Sequence, residues 1–370
     1  MKIGIVTIVD PTPNYGNKLQ NYAVEQIFAG MGWQSVTLAP CRQNRTIPLA
    51  VKYAARWCLG VVGVHSFSPE IRALYRRMFA FRRFDQTHLH IREDLCRGTV
   101  RPEQYDYFSI GSDQVWNPEQ FWDGRENFYL LRFAKPEQKI CMSPSFGVTQ
   151  LPENWKEPFR QALACFPRLA VREASGAQII YDLLGIRPQV LIDPTLMLDA
   201  EDWRKISRPL RTGRPEKPYL LTCFLGQECA DAVCRAEELS RALDLECRHL
   251  LDDRDPRLSG AGPSEYLDLI EHAQAVITDS FHACVFSIIF RRPFAVTERS
   301  VNGQPVMSGR IQTLLDKLQI SDRQLSRLSA QELMHCDFSN VDTCLAAERK
   351  IMRQHIAASS GIAAGGGEKK

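Results

Sequence analysis

A histidine at the start of an apolar helix and an arginine at the end of a short strand are the two side chains in this 370-residue sequence best placed to do chemistry. The histidine is His282, within QAVITDSFHACVFSIIFRRPF from Gln274 to Phe294. Ala275 to Thr278 reads as a buried strand, Asp279-Ser280 as a helix cap, and Ala283 to Phe290, apolar on every side, as a helix sunk in a core. Strand, cap and helix in that order bring free N–H groups and the positive end of a helix dipole to the edge of a sheet, which favours an anion. His282 lies in the first turn and would face that anion. The plainer reading is a core histidine with an ordinary hydrogen bond. The arginine, Arg172, follows the strand Leu169 to Val171, where a guanidinium fork suits a phosphate or carboxylate. Its plainer reading is a pair with Glu173 or an acidic neighbour.

Positioning these groups requires alternating strands and helices, and the chain supplies them from its start. Lys2 to Asp10 reads as a strand, PTPNYGNK as a turn-rich loop, Asn17 to Met31 as an amphipathic helix, and Trp33 to Leu38 as a second strand. Gly16 and Asn17 stand just ahead of that helix, another place for a ligand, although the spaced glycines of a dinucleotide fingerprint are missing. Tyr105 to Ile110 is strand-like and ends in GSDQVWNP, where Ser112 and Asp113 follow a glycine that permits close backbone approach. An ordinary turn closed by Asp113 fits the same letters. Ile140 to Phe146 is another strand, Asn154 to Phe166 and Ala174 to Leu184 are helices, the latter closed by Gly185, and Val190 to Ile192 is a strand ending in Asp193-Pro194. Arg204 to Pro218 is dense in Pro, Gly and basic residues and reads as a linker. Strand and helix patterns resume at Tyr219 to Leu225, Cys229 to Leu243, Glu246 to Leu251, Pro263 to His272 and Phe294 to Thr297.

The class expected is therefore α/β, with two Rossmann-like doubly wound domains facing each other across a cleft. We divide the chain into a first domain over 1–203 with an insertion at about 41–101, a linker at 204–218, a second, donor-binding domain at 219–340, a helix at 341–358 that crosses back to the first domain, and a disordered tail at 359–370. Gly309 to Leu318 is a helix after a flexible loop, and Arg310 at its start would arrive at the cleft if that loop closed.

Composition narrows the function. The sequence is 44% hydrophobic and 24% charged with a net charge of +3, a balance that calls for no nucleic acid. No run of about 18 uncharged apolar residues is present, so no membrane-spanning helix is expected, and the amino terminus lacks a signal-peptide pattern; a cytoplasmic protein is the expectation. The twelve cysteines are scattered, many of them (Cys141, Cys165, Cys223, Cys284) inside apolar patterns as small hydrophobes, and none has metal-ligand spacing. Residues 41–101 hold twelve Lys or Arg against four acids, interleaved with aromatics. That segment suits anionic headgroups or pyrophosphates and would allow peripheral contact at the inner membrane face, a solvated helix face being the bland alternative.

The stretches NYGNKLQNYAV at 14–24, IGSDQVWNP at 110–118, SPSFG at 143–147, AVRE at 170–173, DPTLML at 193–198, TDSFHACVFSIIFRRPF at 278–294 and SGRIQTLLDKL from 308 resemble, in order, those of the polysaccharide pyruvyl transferase family. Ala283 stands where that family usually has a glycine. The resemblance implies a GT-B-like fold and transfer of the pyruvyl group from phosphoenolpyruvate to a sugar or lipid-linked glycan, with phosphoenolpyruvate as substrate and no metal or cofactor. By the same resemblance Arg172 would grip the donor's phosphate or carboxylate, and His282 would act as acid or base beside it. Ser280, Phe281, Asn17, Ser112, Ser145 and Arg310 are the further substrate-binding candidates, and Asp113 is the candidate for orienting the acceptor hydroxyl or serving as a second base. The chemistry asks for these types independently: a doubly anionic three-carbon donor needs concentrated positive potential, and ketal formation needs proton transfers near neutral pH. Two other readings stay open, a GT-B glycosyltransferase using a nucleotide sugar and a non-catalytic subunit of a glycan assembly complex.

Overall fold

The computed structural model describes residues 1–9, 13–39, 69–92, 100–121, 124–225, 230–251, 258–297, 299–301, 304–306 and 309–361. Most of the basic insertion, the loop around Asn302 and the end of the tail lie outside these residues. The first half opens with β1 (Lys2–Val6), α1 (Tyr15–Gly30) and β2 (Gln34–Leu38), followed by α2 (Pro69–His88), β3 (Ile91–Arg92), β4 (Tyr107–Ile110) and β5 (Lys139–Cys141). Its strands form one parallel sheet in the order β3-β2-β1-β4-β5. Apolar runs such as IGIV are buried on both faces here, as parallel strands require. α1 begins at Tyr15, two residues before the sequence pattern suggests, because Asn14 caps it by accepting from the backbone N–H of Asn17 at 3.2 Å.

After α3 (Glu153–Leu163) come β6 (Ala170–Val171), α4 (Ala174–Leu184), which ends at left-handed Gly185, and β7 (Gln189–Val190). β6 and β7 pair with each other in a separate two-stranded sheet, so Arg172 does not end a central strand. The cause lies at the end of β5. Ser143 sits in the left-handed region with φ 52° and Pro144 has no N–H to give, so the ladder stops, and Pro144 O accepts from the Arg172 backbone N–H at 3.1 Å.

The second half contains β8 (Tyr219–Cys223), α5 (Ala230–Ala242), β9 (Glu246–His249), α6 (Pro263–His272), β10 (Ala275–Thr278), α7 (Phe281–Ile289) and β11 (Phe294–Val296), its strands parallel in the order β11-β10-β8-β9. The intervening Arg204 to Pro218 segment is pinned to α6 through Arg208 with Glu265 at 2.6 Å and Arg214 with Asp268 at 2.7 Å. A hairpin of β12 (Arg299–Val301) and β13 (Gln304–Val306) precedes α8 (Gly309–Lys317).

The last helix, α9 (Val341–Ser360), lies against the first half. Tyr107 donates its hydroxyl to Ser360 O at 2.7 Å, and Arg349 reaches Leu196 O, Leu198 O and Asp199. His355 sits in the same contact with its Nδ1 2.9 Å from Gln189 Oε1, and burial pushes its pKa down to about 4. The helix runs on to Ser360, so Ser359 and Ser360 are buried and ordered where a disordered tail was expected; their hydroxyls bond back to His355 O and Ile356 O. Cys165 likewise departs from expectation and is exposed, whereas Cys141, Cys223 and Cys284 are buried.

One hydrophobic core runs through both halves. Tyr15 stacks on Tyr266 at 4.4 Å and packs on Phe81 at 4.9 Å, while Trp203 meets Phe286 edge-on at 4.9 Å and Tyr22 at 5.6 Å. Burial of each such ring stabilises by roughly 2 kcal/mol before entropy is counted. These contacts pack α1 against α2 and α6 and, through Trp203, against α7. Among the described part of the insertion, α2 buries Phe81 and Phe84 inward and exposes Arg72, Arg82 and Arg83 beside Ile71, Leu74 and Phe79. No helix among the described residues is long and apolar enough to cross a membrane.

Candidate functional site

His282 stands where the strand–cap–helix pattern puts it. Ser280 caps α7 by accepting from the Ala283 N–H at 3.5 Å, and the helix is buried along its length. Asp279 is not the cap; its Oδ1 accepts from the Leu225 N–H at 2.7 Å and so ties the end of β10 to the end of β8. The His282 ring lies flat against the first turn of α1. A Cβ on Gly16 would come within 2.0 Å of His282 Nδ1, so only glycine lets the two helix starts approach this closely.

The other nitrogen of that ring, Nε2, lies 3.7 Å from Asp193 Oδ2, on the first half of the chain. Asp193 follows β7 and is almost wholly buried at 1% exposure, yet its carboxylate is fully engaged. Oδ1 accepts from the Thr195 N–H at 3.0 Å and its hydroxyl at 2.6 Å; Oδ2 accepts from the Ser112 hydroxyl at 2.7 Å and Arg172 Nη1 at 2.7 Å. Burial pushes this carboxyl up, but His282, Arg172 and Thr195 together outweigh burial and hold it well below the usual carboxylate range. For Arg172, burial works against the charged form, and Asp193, Asp113 and Glu173 more than restore it.

Arg172 and His282 therefore converge, one from each half, on a single carboxylate oxygen. The remaining site residues arrange themselves around them. Phe281 stacks its ring 4.4 Å from the guanidinium carbon. Asp113, in the left-handed region at φ 71°, sets Oδ1 3.8 Å from Arg172 Nη2 and Oδ2 against the Asn17 side-chain amide, which donates to it. Arg310 lines, with Thr313, Leu314 and Lys317 of α8, the far wall of a small recess whose near wall is Arg172, Asp193 and Phe281. The recess has room for about one water.

Not every residue singled out in the sequence reaches this point. Ser145 supports from behind, donating to Glu173 Oε1 at 3.0 Å and accepting from the Gly147 N–H at 3.1 Å. The Ser280 hydroxyl is taken up in capping. Asp193, Glu173, Gly16 and Lys317 were missed as site residues. For Asp193 a signal existed, an acid at a strand end followed by a proline that opens a helical turn.

Among the described residues three buried nitrogens have no hydrogen-bond partner, Nε and Nη2 of Arg172, which lines the recess, and His282 Nε2, 3.7 Å from Asp193 Oδ2. Orphaned donors of this kind are rare in folded proteins, because each costs roughly 1–3 kcal/mol, and their clustering marks a place built for an acceptor. The arrangement thus offers fixed positive charge and one acid–base group to a compact anion.

Among solved structures the chain is similar to a UDP-N-acetylglucosamine 2-epimerase from Rickettsia bellii, with a TM-score of 0.46 at 9% identity, covering 98% of this chain and 97% of that one. It is similar to the corresponding epimerase of Neisseria meningitidis bound to UDP-GlcNAc, at 0.45 and 9%, covering 97% and 100%, and to the E. coli heptosyltransferase WaaC, at 0.36 and 12%, covering 90% and 97%. No curated protein matches the sequence. The family model of polysaccharide pyruvyl transferases matches residues 14–300, from the cap of α1 through α7 to β12, and the chain belongs to that family.

Proposed function

We propose that this protein moves the pyruvyl group of phosphoenolpyruvate onto hydroxyls of a glycan sugar, closing a pyruvate ketal. The observation that carries the reading is the trio of buried nitrogens on Arg172 and His282 that make no hydrogen bond among the described residues, with Arg310 on the same recess as Arg172. Phosphate and carboxylate on three carbons match such a cluster in sign and in their hydrogen-bond acceptors. In this reading one acceptor hydroxyl adds to the central carbon while a proton goes to the methylene carbon, which becomes methyl. The second hydroxyl then displaces phosphate, and its proton leaves with the phosphate. His282 serves as the proton carrier, Arg172 steadies the departing phosphate, and Asp113, held by Asn17 and the Gln114 N–H, orients the acceptor. Donor entry requires Phe281 to swing off the guanidinium or α8 to lift.

The test is incubation of pure protein with phosphoenolpyruvate and galactose-, mannose- or N-acetylhexosamine-terminated glycans, free and lipid-linked, the latter presented in neutral and in anionic vesicles. The expected result is an acceptor mass gain of one pyruvyl group with one phosphate released per transfer. Faster transfer at anionic vesicles supports a peripheral membrane contact through α2, and equal rates at both vesicles remove that part. Consumption of a UDP-sugar with no use of phosphoenolpyruvate overturns the reading in favour of a glycosyltransferase.

A further inference from the structure

We propose that Asp193 is the positioning residue of this site, holding Arg172 and His282 in the register that leaves their remaining nitrogens facing the donor. The proposal rests on the phosphoenolpyruvate reading above and deepens it. A carboxylate offers about four lone-pair directions, and four donors fill them: two from Thr195, one from Ser112 and one from Arg172. Arg172 spends only Nη1 on this contact, so among the described residues Nε and Nη2 make no hydrogen bond and stand 4.0 and 3.8 Å from the Glu173 and Asp113 carboxylates. His282 Nε2, at 3.7 Å, is too far for a hydrogen bond and close enough to be drawn by charge, so the ring is oriented while its nitrogen stays available. Gly16 backs the same ring from the opposite side. A residue of the first half thus sets the angle of a side chain carried by the second.

This role has an unusual sign. A buried negative charge beside an anion site opposes donor binding, so its retention makes sense only if it gains turnover. Asparagine at this position keeps the size and loses the charge. It also supplies one acceptor where two are needed, so either the Thr195 pair or the Ser112 and Arg172 pair meets an N–H instead of an oxygen.

The experiment measures phosphoenolpyruvate binding by titration calorimetry without acceptor, and kcat with saturating acceptor, on the full-length protein and on Asp193→Asn and Thr195→Val. For Asp193→Asn the expected result is donor affinity unchanged within about threefold or tighter, with kcat down at least about 30-fold. Thr195→Val keeps the charge and removes one of its four donors. It is expected to lower kcat by about three- to tenfold with donor affinity unchanged, and it stands as the readout if the asparagine variant does not fold. Wild-type kcat in both variants overturns the proposal, as does a loss of donor affinity in proportion to kcat, which is what a merely structural residue would give. Failure of the wild-type protein to bind phosphoenolpyruvate appears before any variant is compared and overturns the donor reading, and this proposal with it.

Discussion

Replacing Arg172 with alanine is expected to reduce phosphoenolpyruvate use by more than about 100-fold and to lower stability by about 3–5 kcal/mol, the usual cost of leaving one member of a buried ion pair alone. Arg172 is 3% exposed and its guanidinium stands 2.7 Å from Asp193, with Asp113 and Glu173 at 3.8 and 4.0 Å. Its removal strands carboxylates that water cannot reach. The effect depends on pH with a definite sign. Asp193 in the folded protein titrates below its unfolded value of about 3.9, so it contributes stability at neutral pH that is lost only as the pH falls through the depressed folded value. Without Arg172 that folded value climbs, and acid unfolding of the variant is expected to begin at a higher pH than in wild type. Thermal melts at pH 7 and pH 4 read this directly. Arg172→Lys separates the two losses, since it keeps the charge near Asp193 but gives up the planar fork, so stability is expected to recover more fully than donor use. Wild-type donor use in either variant would remove Arg172 from the site.

Gly16→Ala is expected to cut turnover by about 100-fold, although the added group is a single methyl. The new Cβ falls 2.0 Å from His282 Nδ1 and 2.6 Å from its Cε1, below any real contact distance, so the imidazole or the start of α7 has to move. Overpacking of this kind typically costs about 1–3 kcal/mol in stability, and a displacement of about 1 Å at a reacting group can cost 10² in rate. The cause is testable by coupling. If the methyl acts through His282, Gly16→Ala adds little further loss in a His282→Ala background, where the ring it strikes is gone. Independent, multiplicative losses in the double variant would place the effect elsewhere.

The contrast between these residues shows how much the sequence discloses. His282 was legible because the letters around it are local: a β-branched run, a serine cap and an all-apolar helix need no tertiary information to be read. Ala174–Leu184 with its terminal glycine was legible for the same reason. The two facing parallel sheets followed from strand–helix alternation. Gly16 was read as part of a ligand site at a helix start and not as a contact of His282, since nothing in its neighbours tells that an imidazole from more than 260 positions away will lie on it. Asp193 was read as the end of a strand, because the partners that define it, Ser112, Arg172 and His282, come from three other stretches. The separation of β6 and β7 from the first sheet depends on the left-handed turn at Ser143, which a serine does not announce. Arg310 was placed near the cleft from its helix start, and it does line the recess beside Arg172.

The account rests on an arginine of one half and a histidine of the other meeting at one small anion. The most direct measurement is the structure of the protein grown with phosphoenolpyruvate. The account expects the donor between Arg172 and His282, its phosphate or carboxylate bonded to Arg172 Nε and Nη2 and within reach of His282 Nε2, with Phe281 turned aside. Phosphoenolpyruvate bound elsewhere, or bound with Arg172 still closed on Asp193 and Phe281 and its other nitrogens untouched, contradicts it.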